Sequence, residues 1–312
     1  MRNIKFFRDI DKRSVAEAGG KGSSLGEMTR AGLPVPSGFV VVAAAFERFL
    51  KETDLAAEIE DVLKRVKHED ANSVAKASSE IRDMMGKANM PDDLEREIKT
   101  AFKKLNAKFV AVRSSATAED SKVASWAGEL ETYLNVREKN LVRSVMKCWS
   151  SLFTPRAIFY RFEKKLHKKP VSVAVVVQKM VQSEVSGICF TVHPVTKDRN
   201  QMVIEAGFGL GEAIVGGLVT PDNYIVHKNA FSVLDINVSQ QSMMITRTPK
   251  GNIQKKLSAQ AGGKQKLTGR QIVELAKICR KIEQHYRHPQ DIEWAFEKGK
   301  FYITQSRPIT TL

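Results

Sequence analysis

The residues best suited to chemistry lie near the end of the chain, in Asp291-Ile-Glu-Trp-Ala-Phe, the short turn Glu297-Lys-Gly-Lys, and Phe301-Tyr-Ile-Thr-Gln-Ser-Arg-Pro. Two aromatic and β-branched runs around a Lys-Gly pair predict a β-hairpin, and side chains two apart on a strand share a face. Asp291 and Glu293 therefore share a face of one strand, and Gln305 and Arg307 share a face of the other. A three-residue loop, 298–300, pairs Glu297 with Phe301 and sets Glu293 opposite Gln305 and Asp291 opposite Arg307. A two-residue loop shifts the register and separates them. A carboxylate beside an amide oxygen, with a guanidinium one step along, suits a magnesium-bound polyphosphate. An ordinary charged surface hairpin is the alternative.

Three further clusters carry chemical potential. Gly19-Gly-Lys-Gly-Ser-Ser precedes a helical run, so backbone amides and Lys21 can face an anion at a helix N-terminus. It is not a P-loop, because Val15 and Gly22 occupy positions where that motif requires glycine and Ser/Thr. Val112-Arg-Ser-Ser-Ala-Thr-Ala-Glu-Asp sets Arg113 and three hydroxyl residues directly after a buried strand, a common seat for functional side chains; a helix cap by Ser114 or Ser115 is the structural alternative. Trp126-Ala-Gly-Glu-Leu-Glu-Thr-Tyr offers Gly128 for close backbone approach and Thr132 for a hydroxyl contact. Gly207-Phe-Gly-Leu-Gly-Glu fails as a dinucleotide fingerprint because Glu212 stands at the third glycine position, and it reads as a tight turn or a moving flap.

The elements that must position these residues follow from pattern. Phe39–Val42 is a strand. Apolar residues at three- and four-residue spacing from Ala44 to Leu105 predict helices, with Pro91-Asp-Asp starting a new one. Phe109–Val112 is a buried strand, and a helix from Leu141 is interrupted at Pro155. Val171–Val177 is almost continuously apolar, as in a strand covered on both faces. Val185–Thr191 and Met202–Glu205 are strands, the Lys-, Gln- and Gly-rich stretch 246–270 is expected to be a mobile loop, and Thr268 begins a helix with Ile272, Leu275, Ala276 and Ile282 inward. The boundary between two lobes is placed at 180/181.

Composition bounds the function classes. The chain of 312 residues, 42% hydrophobic, has ample material for a core, and 50 Lys plus Arg against 35 Asp plus Glu give a net charge of +15 that favours a polyanionic partner. Aromatic residues make up only 7% and do not interleave with the basic runs, which weighs against nucleic acid. Three cysteines distant in sequence suggest no zinc or redox pair and point to a reducing cytoplasm. None of the six histidines has paired metal-ligand spacing, no nucleophile elbow occurs, and neither a signal peptide nor a membrane span is expected.

Taken in order, Ala18-Gly-Gly-Lys-Gly-Ser-Ser-Leu-Gly-Glu, Ala31-Gly-Leu-Pro-Val-Pro-Ser-Gly-Phe, the Arg113 and Gly207 motifs, Gly187-Ile-Cys-Phe-Thr, Pro221-Asp and Gln305-Ser-Arg-Pro resemble one module along the whole chain. It is the N-terminal ATP-binding domain of the phosphoenolpyruvate synthase (pyruvate, water dikinase) family, shared with pyruvate phosphate dikinase and rifampicin phosphotransferase.

The resemblance implies an α+β, ATP-grasp fold with lobes 1–180 and 181–312 clasping ATP. Lys21 and Arg113 would hold phosphates, and Gly128 and Thr132 would lie on a phosphate-covering loop. Gln178, Met180 and Val181 would line the adenine hinge. Glu293 and Gln305 would bind Mg2+, and Arg307 would contact the phosphates, with Arg113 and Arg307 as the catalytic pair. One departure is Glu129, where many relatives carry glutamine. The implied activity is that of a kinase or phosphotransferase, in which a histidine on a separate domain or partner receives the phosphoryl group and an acceptor-binding domain uses it. None of the six histidines has the Gly-Gly-x-x-Ser/Thr-His setting of such a carrier, so the carrier is expected in trans or in a longer parent protein. A nucleotide-dependent regulatory protein without transferase activity is the alternative.

Overall fold

A computed structural model describes residues 3–117, 131–164, 172–249 and 251–310, together with the backbone of 120–121 and 124–125. The chain divides into two compact units: Met1–Glu27 with Ser37–Met180, and Met28–Pro36 with Val181–Leu312. Each combines helices with an antiparallel sheet, as the α+β expectation requires.

In the first unit, β1 (Ile4–Phe6), β2 (Gly38–Val41), β3 (Val110–Ala116), β6 (Thr132–Val136) and β7 (Val173–Lys179) form a sheet of order β1-β2-β7-β3-β6, while β4 (Asp120–Ser121) and β5 (Ala124–Ser125) pair separately. Helices α2 (Ala43–Glu52), α3 (Leu55–Lys64), α4 (Ala71–Lys87), α5 (Asp92–Leu105), α6 (Glu138–Ser150) and α7 (Pro155–Glu163) supply the main core. The inward positions Val110 and Val112 of β3 and Val173, Val175 and Val177 of β7 meet them there. Trp149 is fully buried, its ring centroid 5.6 Å from that of Phe46 and 5.1 Å from that of Phe49. Helix α1 (Val15–Arg30) packs by Gly22 against Val40 and Val176, residues of the opposite strand parity, so β7 is covered on both faces. That double cover explains its unbroken valine run.

The second unit contains β8 (Val185–Phe190), β9 (Gln201–Phe208), β10 (Asp222–His227), β11 (Val233–Asn237), β14 (Gln290–Glu297) and β15 (Lys300–Pro308), in the order β11-β10-β9-β8-β14-β15. Helix α10 (Gly269–Tyr286) starts at a capping box formed by Thr268 and Gln271 and buries Ile272, Leu275, Ala276, Cys279 and Ile282 completely. Cys279 meets Cys189 of β8, so two thiols far apart in sequence are neighbours in the fold; their mutual hydrogen bond and burial hold the Cys189 thiol well above its usual range. Among the described residues, no helix is long and apolar enough to cross a membrane.

Two sequence expectations are corrected. Strand β3 does not end before Arg113: it pairs with β7 as far as Ala116 opposite Val173, so Arg113, Ser114 and Ser115 lie inside a central strand. The expected mobile loop at 246–270 is instead largely regular, with the paired strands β12 (Met243–Thr248) and β13 (Gly251–Lys256) followed by α9 (Ala259–Gly262).

A buried ion pair helps to hold that stretch. Lys266 Nζ lies 2.7 Å from Asp222 Oδ1, and both side chains are fully buried. Asp222 also accepts from the Tyr224 hydroxyl and from the backbone N–H groups of Ser239 and Lys266, while Lys266 Nζ donates to the carbonyls of Ser239 and Gly262. The pair is stable because its remaining lone pairs and protons are satisfied; composition alone does not reveal such a network. Removing one partner strands the other charge. Lys266→Met should therefore lower unfolding free energy by about 3–5 kcal/mol, measured by chemical denaturation, and an unchanged midpoint would refute this role.

Candidate functional site

Strand parity in the first unit collects the expected residues on the α1 side of the sheet. Arg113 pairs with Val176 on β7 and Thr132 on β6, and Gln178 pairs with Gly38 and Ala111. Arg113, Thr132, Val176 and Gln178 thus share the face opposite the valine-rich core. Arg113 and Gln178 are buried, whereas Thr132 is exposed.

The glycine-rich segment reaches that face because Gly19 has φ 68° and lies against Ser115, where an added Cβ would come within 2.2 Å of Ser115 Oγ. Ser115 Oγ donates to the Ala18 carbonyl and accepts from Gly22 N–H, spanning the break in α1. Ser115 is thus a helix cap in function but lies on a strand, in another part of the sequence. Lys21, half-buried, sits between those two anchoring contacts. Ser114 points to the other face, where its hydroxyl bonds the carbonyls of Glu131 and Cys148.

At the end of β7, Lys179 N–H donates to the Ser37 carbonyl and Met180 N–H to that of Phe109, so the Met180 amide is engaged by its own unit. Val181 is buried. Gly128, Trp126 and Glu129 lie outside the described residues.

In the second unit, the hairpin resolves the two loop alternatives in an unexpected way. Its loop is the two-residue kind, Lys298-Gly299, both with positive φ (51° and 76°), and Glu297 pairs with Lys300. The register should then separate the polar residues, but β15 carries an extra residue: Trp294 pairs with Ile303 and Glu293 with Gln305, leaving Thr304 as a bulge. The bulge restores Glu293 opposite Gln305 and Asp291 opposite Arg307.

The register extends the polar row across the sheet. Ile188 of β8 pairs with Glu293 on one side and Glu205 on the other, and Glu205 pairs with Asn223 of β10. Asn223, Glu205, Glu293 and Gln305 consequently share one face. Sequence reasoning reached Glu205 only as the last residue of a strand, because its place in this row depends on long-range strand order. It also left Asp291 without a distinct role. Asp291 Oδ2 accepts from Arg307 Nε at 2.8 Å and lies 2.7 Å from its Nη2, so this carboxylate aims the guanidinium.

Burial holds the Asp291 carboxyl above its ordinary range despite Arg307, with Glu293 adding repulsion. Burial, then Asp291, does the same to Glu205.

Beside this row, residues 209–211, between the end of β9 and the short helix α8 (Glu212–Val215), form the tight turn of the two sequence alternatives. Gln241 accepts from Phe208 N–H and donates to its carbonyl, the Gly209 carbonyl accepts from the hydroxyls of Ser183 and Ser186, and Leu210 N–H donates to Ile245. With both backbone groups of Phe208 and Gly209 engaged, this turn is fastened rather than hinged.

Residues 15–312 match the family described as pyruvate phosphate dikinase, AMP/ATP-binding domain. The chain belongs to that family. Among relatives of this AMP/ATP-binding domain, it is 46% identical over 320 residues to a probable phosphoenolpyruvate synthase of Methanocaldococcus jannaschii, covering 100% of this chain and 27% of that protein. It is 41% identical over 359 residues to the phosphoenolpyruvate synthase of Pyrococcus furiosus, covering 100% and 44%, and 38% identical over 310 residues to the rifampicin phosphotransferase of Bacillus subtilis, covering 98% and 36%. The chain thus spans less than half the length of these relatives. Among solved structures it is similar to D-alanine-D-alanine ligase of Helicobacter pylori, at a TM-score of 0.31 and 11% identity over 75% of this chain and 53% of that one, a likeness that carries no argument of its own.

The donor chemistry of the hairpin fits a magnesium–nucleotide complex. Glu293 and Gln305 offer hard oxygen atoms, and among the described residues no group of three or more acidic, histidine or cysteine side chains forms a ready-made metal cage. Mg2+ commonly uses one or two carboxylates and takes further ligands from substrate phosphates and water.

The raised carboxyls give a signed pH dependence. The folded protein holds these protons more tightly than the unfolded chain, so their contribution is full below the ordinary carboxylate range and is lost as pH rises through the folded pKa values. Asp291→Asn and Glu205→Gln should each flatten the decline in thermal stability as pH rises from the ordinary carboxylate range, about pH 4, towards neutrality. Melting curves across that interval provide the check, and slopes equal to wild type would refute it.

Proposed function

We propose that this AMP/ATP-binding domain holds Mg-ATP for phosphoryl transfer to a histidine on a separate domain or partner, as in a phosphoenolpyruvate synthase-like dikinase. In this ATP-grasp reading, Lys21, Arg113, Gly128 and Thr132 serve the phosphates from the first unit. Gln178, Met180 and Val181 serve the adenine end. Glu293 and Gln305 would hold Mg2+, which supplies charge neutralisation to the polyphosphate, and Arg307 would contact the phosphates. Arg113 and Arg307 are the residues assigned to catalysis.

The observation that carries this reading is the bulged hairpin, which sets a carboxylate beside an amide and a carboxylate-aimed arginine one step along the same strands. The Met180 N–H is engaged by Phe109, so its proposed adenine contact uses its carbonyl or side chain. Phosphoryl transfer asks the protein chiefly to position the nucleotide and neutralise developing charge, which suits side chains fixed on strands. The similarity to phosphoenolpyruvate synthases supports the dikinase class, while the acceptor histidine and final substrate are supplied elsewhere in the proposal.

Titration calorimetry tests the binding step: Mg-ATP should bind at millimolar concentration or tighter. Arg307→Ala and Glu293→Ala should each weaken it at least about tenfold, and Lys64→Ala, at the exposed end of α3, should not. Absence of binding to the folded wild type would overturn the proposal. Addition of a family histidine domain should yield AMP and phosphohistidine; ATP binding without either product would favour the regulatory alternative.

A further inference from the structure

The face assigned to phosphate depends on β6, an edge strand whose register is not secured by regular pairing. Val112 pairs with Tyr133 and Val110 with Val136, so β6 carries an extra residue at this point, where Asn135 adopts φ 57°. Edge strands with such irregularities have a neighbour on one side only, and a one-residue slip exchanges the side chains on the two faces. The slip toward the preceding segment would set Glu131 beside Arg113 and turn Thr132 toward the helical core. An acid would then compete with phosphate for the buried arginine.

Two contacts to neighbouring elements oppose that slip, and a third, from Tyr133 of β6, orients the carboxylate that makes one of them. Arg82 of α4 reaches Glu131, with Nη2 2.7 Å from Oε1. The Tyr133 hydroxyl donates to the other oxygen, Oε2. The Glu131 carbonyl accepts from both the backbone N–H and the hydroxyl of Ser114, at 3.2 Å and 3.0 Å. Glu131 and Tyr133 are two residues apart and share the helix-facing side, while Thr132 between them faces the other way. Lys147 lies over the Tyr133 ring at 5.4 Å, adding a second cation from α6.

We infer that the Arg82–Glu131–Tyr133 cluster is a register lock for β6: Glu131 is a positioning residue that keeps Thr132 beside Arg113 and keeps its own carboxylate off the phosphate face. This rests on the Mg-ATP reading above. The charge pair is only partly buried, with side-chain exposures of 35% for Arg82 and 28% for Glu131, so its direct contribution to overall stability is modest. Its effect is expressed in register, and hence in recognition of the polyphosphate rather than of adenosine.

The distinguishing measurement compares Mg-ATP with AMP, which lacks the β- and γ-phosphates. Glu131→Gln and Arg82→Met should each weaken Mg-ATP binding about fivefold while changing AMP affinity less than about twofold, and the double variant should be no worse than either single one because both break the same lock. Hydrogen exchange at the Ser114 amide should quicken in both single variants. Equal losses for ATP and AMP, or no loss for ATP, in a background where wild type binds Mg-ATP would overturn the lock. Failure of wild type to bind Mg-ATP would overturn the functional reading instead; the Ser114 amide then remains the direct readout, and unchanged exchange in Glu131→Gln would overturn the lock by itself.

Discussion

The polar face of the second unit depends on the pairing of β14 with β15. A tight turn of two positive-φ residues begins the hairpin with matched strands, and the extra residue at Thr304 changes that match before the polar residues are reached. Without the second event, Gln305 and Arg307 would face away from Glu293 and Asp291. Turn geometry alone therefore does not determine this face; turn and bulge determine it together. The carboxylate-guided arginine, the carboxylate–amide pair and the row extending to Glu205 all follow from the corrected register.

In the first unit the corresponding constraint is a close approach of backbone to strand. Gly19 lies against Ser115 where no side chain fits, and the Ser115 hydroxyl bonds both sides of the break in α1. This ties the segment carrying Lys21 to the strand carrying Arg113 without any direct bond between those two side chains being required. Both units thus place candidate ligand-binding groups on regular strands or against them, and use local backbone departures, a kink in one and a bulge in the other, to bring them into line.

Much of this was legible in the sequence because it depends on short-range pattern. The helices between Ala43 and Leu105, the valine-rich β7 and the Thr268 cap follow from periodicity and capping chemistry. The polar pairing of the hairpin is one of two sequence alternatives, tied there to a three-residue loop that does not occur: an extra residue in the loop and an extra residue in the strand have the same effect on register, and composition does not distinguish them. The stretch 246–270 was misread because polar, glycine-rich composition describes an exposed hairpin as well as a loop, and because the partner that buries Lys266 is Asp222, far away in sequence. Glu205 was missed for a related reason, since its relation to Glu293 passes through an intervening strand that sequence spacing does not identify.

The strand orders also bear on how the polypeptide acquires this structure as it emerges from the ribosome. In the first sheet β7 sits between β2 and β3, both made earlier; in the second, β14 takes the place beside β8 only after β9, β10, β11 and α10 have been synthesised. Each sheet therefore keeps a vacant central or edge seat until a late strand arrives, and non-local pairing of this kind slows folding and prolongs exposure of unpaired edges. The nascent chain is consequently open to aggregation while β2 waits for β7 and again while β8 waits for β14, and the second interval closes just before β15 brings in Gln305 and Arg307.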